Sequence, residues 1–130
     1  MIKQIKSSEI KNFIKENSNV VLLDVRTENE WNSLGKPNAE DLNSKTYFVT
    51  VSNDLSNWQV PDPNFVKNVK KNINKDKTIL VMCAAGGRSL IAANLLEAEG
   101  YNTLNVSDGF SGNGEDPGWK NLGLPSIVNI

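Results

Sequence analysis

The sequence predicts an α/β fold built on a mainly parallel sheet, and three observations carry that prediction. Val20-Val21-Leu22-Leu23-Asp24-Val25 and Ile79-Leu80-Val81-Met82 are short apolar runs without polar alternation, the pattern of strands covered on both faces. Stretches with apolar residues at helical spacing lie between the strand-like runs, giving the order β-α-β-α-β-α-β-α-β, which right-handed crossovers resolve into parallel pairing. Finally, Gly86-Gly87 interrupts the passage from the second apolar run into the alanine-rich segment Ser89–Ala98, which reads as strand, tight turn and helix. A chain of 130 residues is expected to form one domain, residues 1–130, with a substantial core.

The elements follow in order. Ser7 or Ser8 is placed to cap a helix over Glu9–Glu16, where Ile10, Phe13 and Ile14 share a face. Val20–Val25 is a buried strand, and Thr27 is placed to cap a short helix through Glu28, Glu30 and Trp31 that ends near Gly35. Residues 36–45 are polar and loop-like. Tyr47–Val51 is the third strand, rich in β-branched and aromatic residues. Phe65–Ile73 forms a helix that buries Phe65, Val66, Val69 and Ile73 and turns Lys67, Lys70 and Lys71 to solvent. After the helix Ser89–Ala98, Gly100 suits the C-terminal cap and Thr103–Val106 is the last strand. The tail from Asp108 to Pro125 is rich in glycine and turn residues.

Composition narrows the chemistry. A net charge of −1 and a pI near 5.4 provide no general attraction to nucleic acid or to an anionic membrane, so neither is expected as a partner. The chain has one cysteine and no histidine. These counts exclude an internal disulfide, multi-cysteine zinc sites, histidine-ligated metals and the Ser–His–Asp and Cys–His modes of catalysis. No apolar run reaches the ~20 residues of a membrane span, and the N-terminus carries no signal-peptide core, so a cytoplasmic protein is expected. Asn105-Val106-Ser107 has the form of a glycosylation sequon but falls in a strand.

The chemistry concentrates at Cys83. It lies at the carboxyl end of a strand, where parallel sheets carry their sites, and precedes a turn and a helix N-terminus that aim backbone N–H groups at the same place. A thiolate is stabilised in such a setting, and Arg88 adds a permanent cation. The structural alternative is a buried cysteine that acts as a small hydrophobe. Asp24, Arg26 and Glu30 cluster at the exit of the first apolar strand, where three opposite charges are read as an ion-pair network tying strand to helix. Trp58, in the long loop after the third strand, is placed either to wall the thiol pocket or to anchor its loop. Phe110 and Trp119 lie in a tail that leaves the same sheet edge, to cover the pocket or clamp the sheet.

Cys83-Ala84-Ala85-Gly86-Gly87-Arg88-Ser89, between an apolar strand and an alanine-rich helix, resembles the active-site loop of single-domain rhodanese-like sulfurtransferases. Leu22-Leu23-Asp24-Val25-Arg26 with Glu30-Trp31 resembles the family's first signature. Asp108-Gly109-Phe110, Gly118-Trp119 and Gly123-Leu124-Pro125 resemble its closing segment. The resemblance implies a three-layer α/β/α domain with a central, mainly parallel five-stranded sheet. It also implies that Cys83 is the catalytic nucleophile, that Ala84 to Ser89 form the anion-stabilising loop, and that Asp24 and Arg26 are mainly architectural.

The implied reaction is sulfur transfer. Cys83 would take a sulfane sulfur from a small-molecule donor (thiosulfate, a polysulfide or a low-molecular-weight persulfide) and pass it to a thiol or cyanide acceptor, with no metal or organic cofactor. Arg88 either contacts the donor or fixes the loop. Two rivals remain at this level: a non-catalytic rhodanese-like binding or regulatory module, and a cysteine-dependent phosphatase or arsenate reductase. The latter place five residues between cysteine and arginine, and here there are four.

Overall fold

The computed structural model describes residues 1–128. Its strands are β1 (Lys3–Ile5), β2 (Val20–Asp24), β3 (Lys36–Pro37), β4 (Lys45–Phe48), β5 (Thr78–Met82), β6 (Asn102–Val106) and β7 (Ser126–Ile127). Its helices are α1 (Ser7–Glu16), α2 (Glu28–Leu34), α3 (Phe65–Lys70), α4 (Gly87–Ala98) and α5 (Gly118–Asn121). Five strands form one sheet in the order β1-β6-β5-β2-β4, and every pairing in it is parallel. The expected architecture is therefore the observed one.

Alternation along the central strands sorts their side chains into two cores. Val21, Leu23, Ile79, Val81 and Cys83 face Phe65 and Val69 of α3 and Ala92, Ala93 and Leu96 of α4. Val20, Leu22, Leu80 and Met82 face Ile10 of α1, Trp119 of α5 and Phe110 on the other side. The result is a sheet with a helical layer on each face. From β2 the chain moves outward to β4, then returns to β5 and continues to β6 in the opposite direction. The carboxyl ends of β2 and β5 thus flank the point where the winding reverses, which leaves a crevice there.

Several expected boundaries move for local reasons. Lys6, not Ser7 or Ser8, is the N-cap of α1, and the Glu9 carboxylate accepts its N–H at 2.9 Å. Ser7 is instead drawn to Asp108, to which both its N–H and its hydroxyl donate at 2.9 Å. The third expected strand starts earlier, at Lys45, and ends at Phe48, because its partner β2 ends at Asp24. Beyond it, the Val49 and Val51 N–H groups still donate to the carbonyls of Asp24 and Val25. The loop 36–45 contains a short 3-10 turn, Ala39–Leu42, and the antiparallel bridge of β3 to β7. Thr27 caps α2 as expected, with its hydroxyl oxygen accepting from Glu30 N–H, and Gly100 follows the C-cap of α4 with φ +96°. The sequon residue Asn105 is buried within β6.

Candidate active site

Cys83 follows β5 directly and lies in the same core face as Ile79 and Val81. It is 1 % exposed, yet it lines a pocket of about 280 Å³ together with Leu55, Trp58, Ala84, Ala85, Gly87 and Arg88. The thiol is thus held by the core on one side and open to a small cavity on the other. This places the residue in a setting a merely structural cysteine does not require.

The loop that follows is pinned by the segment after β6. Phe110 and Ser111 N–H groups donate to the carbonyls of Cys83 and Ala84 at 2.8 and 2.9 Å. That approach requires glycine at position 109, where φ is +59° and a Cβ would stand 2.5 Å from the Cys83 oxygen and collide with the Ala84 carbonyl. Gly86 has φ +100°, and a Cβ there would run into the Ser107 carbonyl. With the first loop carbonyls bound elsewhere, Gly86 N–H turns onto Cys83 Sγ at 3.1 Å. The resemblance implies an anion-stabilising loop from Ala84 to Ser89. Gly86 alone makes a backbone hydrogen bond to the sulfur among the described residues.

Ser89 reaches the sulfur from the first turn of α4, with its Oγ 3.3 Å from Sγ. Its hydroxyl donates to Asn105 Oδ1 at 2.5 Å. The Asn105 amide cannot be turned round, because its Nδ2 donates to the Gly86 carbonyl at 3.1 Å and to Gln4 Oε1 at 2.9 Å. Ser89, whose one hydrogen is engaged, is therefore left as an acceptor for the Cys83 S–H. That S–H···Oγ bond has to be given up before the sulfur can act as a nucleophile. Ser89→Ala is accordingly expected to alkylate with iodoacetamide ~2–10-fold faster at neutral pH, the range that a net ~0.5–1.5 kcal/mol hydrogen bond gives. A slower reaction would mean that Ser89 donates to the sulfur instead. Asn105 was not legible as a site residue, since only the parallel register of β5 and β6 brings it to the loop.

Arg88 occupies the first turn of α4, where a cation opposes the helix dipole. It is compensated by Glu30, which accepts from Nη1 at 2.7 Å and from Nη2 at 2.9 Å. Glu30 is itself fixed by the N–H and hydroxyl of Thr27, at 3.1 and 3.0 Å. Burial pushes the Glu30 carboxyl up, but the donors from Arg88 and Thr27 outweigh it and hold it below the usual carboxylate range. Hydrogen bonding to Glu30 raises Arg88 in turn, against the opposing effect of burial. Both groups are charged at neutral pH.

This divides the expected cluster of Asp24, Arg26 and Glu30. Asp24 and Arg26 form a fully buried pair at 2.8 Å, whereas Glu30 turns away to join the loop through Arg88. The reason is spacing. Arg26 folds back onto the carboxylate two residues earlier, while Glu30, at the third position of α2, faces the start of α4.

Trp58 does wall the pocket, and its ring edge lies over Gly87, where an added Cβ would be 3.3 Å from Cη2. Leu55, from the short 3-10 turn Leu55–Asn57, completes that wall and was not anticipated, because a lone leucine in a polar loop carries no signal. Phe110 and Trp119 do not line the pocket. Both are fully buried on the opposite face of the sheet, where Phe110 packs beneath Arg26, with Cζ 4.2 Å from the ring centroid. Trp119 donates from Nε1 to the Pro125 carbonyl at 2.8 Å. The tail is a clamp on the sheet and not a lid. Among the described residues no group of three or more acidic, histidine or cysteine side chains is placed to hold a metal, and no helix is long and apolar enough to cross a membrane.

Comparison with known proteins gives a consistent result. The rhodanese-like domain model matches residues 7–115. The sequence is 38% identical over 128 residues to an uncharacterized protein of Rickettsia prowazekii, covering 96% of this chain and 97% of that one. Among solved structures, Rv0390 from M. tuberculosis superposes with a TM-score of 0.79 at 28% identity, over 95% of this chain and 96% of the other. A rhodanese-like domain protein from Staphylococcus aureus shares the fold with a TM-score of 0.65 at 22% identity, over 99% and 100% of the two chains.

Proposed function

The chain belongs to the rhodanese-like domain family, and from that membership we propose that it is a sulfurtransferase working through a persulfide on Cys83. One observation carries the reading. The chain's single thiol lines a pocket, at a strand end, with the Gly86 N–H on its sulfur and the start of α4 beside it.

In the first step the Cys83 thiolate attacks the outer, sulfane sulfur of a donor. A new S–S bond forms to Sγ, the donor's own bond to that sulfur breaks, and the leaving group carries away the electron pair. The Gly86 N–H and the positive end of α4 favour the anionic sulfur species at the loop. In the second step an acceptor nucleophile attacks the outer sulfur of Cys83–S–SH and regenerates the cysteine. With no second cysteine in the chain, the acceptor is an external thiol, or cyanide in an assay. The Arg88–Glu30 pair fixes the loop against α2 and so serves as scaffold for the nucleophile.

Intact mass spectrometry of the reduced protein, after exposure to thiosulfate and separately to a persulfide generator, tests the proposal. The expected result is gain of one sulfur, discharged by cyanide as thiocyanate. Failure of every donor to load the wild-type protein would reject the reading and leave a binding module.

A further inference from the structure

We infer that the Cys83 pocket selects a sulfane sulfur carried on an uncharged organic group, a small alkyl or aryl persulfide, and that Glu30 and Trp58 are the residues that set this preference. The inference rests on the sulfurtransferase reading and concerns only which donor the site takes.

Charge is the first part of the argument. Thiosulfate is a dianion, and binding it beside a thiolate requires uncompensated positive charge. Among the described residues the only charged side chain lining the pocket is Arg88, and both ends of its guanidinium fork are already engaged by Glu30, at 2.7 and 2.9 Å. Glu30 is locked into that pairing by two donors from Thr27, so it is not a carboxylate that swings aside when an anion arrives. The pair contributes no net charge to attract an anion. The remaining attraction comes from backbone N–H groups and the end of α4.

Shape and polarity supply the second part. Leu55, Trp58, Ala84 and Ala85 form apolar walls around the sulfur, and Gly87 leaves room for the Trp58 ring to lie against the loop. Such walls cannot replace the hydration of a sulfonate-like group, whereas they fit a hydrocarbon attached to sulfur. A pocket of about 280 Å³ has space for a small organic group. The step balances without an added reagent. Cys83–S⁻ and R–S–SH give Cys83–S–SH and R–S⁻, with the Sγ–S bond formed, the R–S–S bond broken and the electron pair leaving on R–S⁻.

The test compares single-turnover sulfur loading by thiosulfate and by benzyl persulfide, read by intact mass. In the wild-type protein benzyl persulfide is expected to load at least ~100-fold faster than thiosulfate, a difference that two partly screened charges account for. Glu30→Gln frees the Arg88 charge and is expected to shift the donor ratio ~10-fold toward thiosulfate, whatever the loosened loop does to both rates together. Trp58→Ala, a change in a half-buried loop residue, is expected to shift the donor ratio ~10-fold away from benzyl persulfide. Equal loading by both donors in the wild type, or a donor ratio that neither substitution moves, would overturn the inference while leaving sulfur transfer intact. No loading by either donor would overturn sulfur transfer itself. Should Glu30→Gln not fold, the Trp58→Ala ratio alone decides.

Discussion

Cys83→Ser is expected to take up no sulfur from any donor while keeping the wild-type fold. The substitution is close in size, and a serine hydroxyl retains the two neighbours of the thiol, the Gly86 N–H and Ser89 Oγ. The packed side of the site, against Val81 and the α4 alanines, is therefore little disturbed. What is lost is the nucleophile. An alcohol is scarcely ionised at neutral pH and is a poor attacking group for divalent sulfur, so loading should fall by at least ~10³-fold. Because the chain has no other cysteine, no neighbouring thiol can take over. Intact mass after donor treatment measures the loss, and circular dichroism with thermal melting checks the fold. Sulfur uptake by the serine variant near the wild-type rate would show that the sulfur is held elsewhere, and the persulfide mechanism would fall.

How much of this was legible in the sequence depended on whether the signal was local. The buried runs at Val20 and Ile79 lie in the two strands at the centre of the sheet, so their patterns are strong and their positions held. The first strand of the five is Lys3–Ile5, which pairs at the sheet edge with β6, and three residues are too few to show a period. Thr27 was readable as the cap of α2 because an N-cap is a local signal. The partnership of Glu30 with Arg88 spans 58 positions and was not. Phe110 and Trp119 show the same limit from another side. Their place after a strand at the functional edge left open whether they cover the pocket or clamp the sheet, and Gly109 and the backbone bonds to Cys83 and Ala84 direct the chain over the edge and onto the opposite core. Sequence order gives which edge a segment leaves from. It does not give which face the segment returns to.

The second large effect is on stability. Asp24→Ala is expected to cost ~3–5 kcal/mol, because it leaves the Arg26 charge buried without its counter-ion. Neither side chain of the pair has any exposure. Asp24 accepts from Arg26 Nε at 3.1 Å on both oxygens, from Nη2 at 2.8 Å and from the Arg26 backbone N–H at 3.0 Å. After the substitution the guanidinium keeps only the Gly35 carbonyl, at 2.9 Å, and the face of Phe110, since Nη1 has no hydrogen-bond partner among the described residues. A cation–π contact contributes ~2 kcal/mol when desolvated, which is too little to hold a full charge in the core. Set against the ~5–15 kcal/mol of a typical domain, the loss brings the chain close to unfolding. The comparison that isolates the cause is the double variant Asp24→Ala with Arg26→Met. Removing both charges should recover most of the loss, as replacing a buried pair by apolar groups costs far less than breaking it. Urea denaturation at neutral pH measures all three proteins. A loss below ~1 kcal/mol in the single variant, or a double variant no more stable than the single one, would mean that water reaches Arg26 and the pair is not the buried clamp described here.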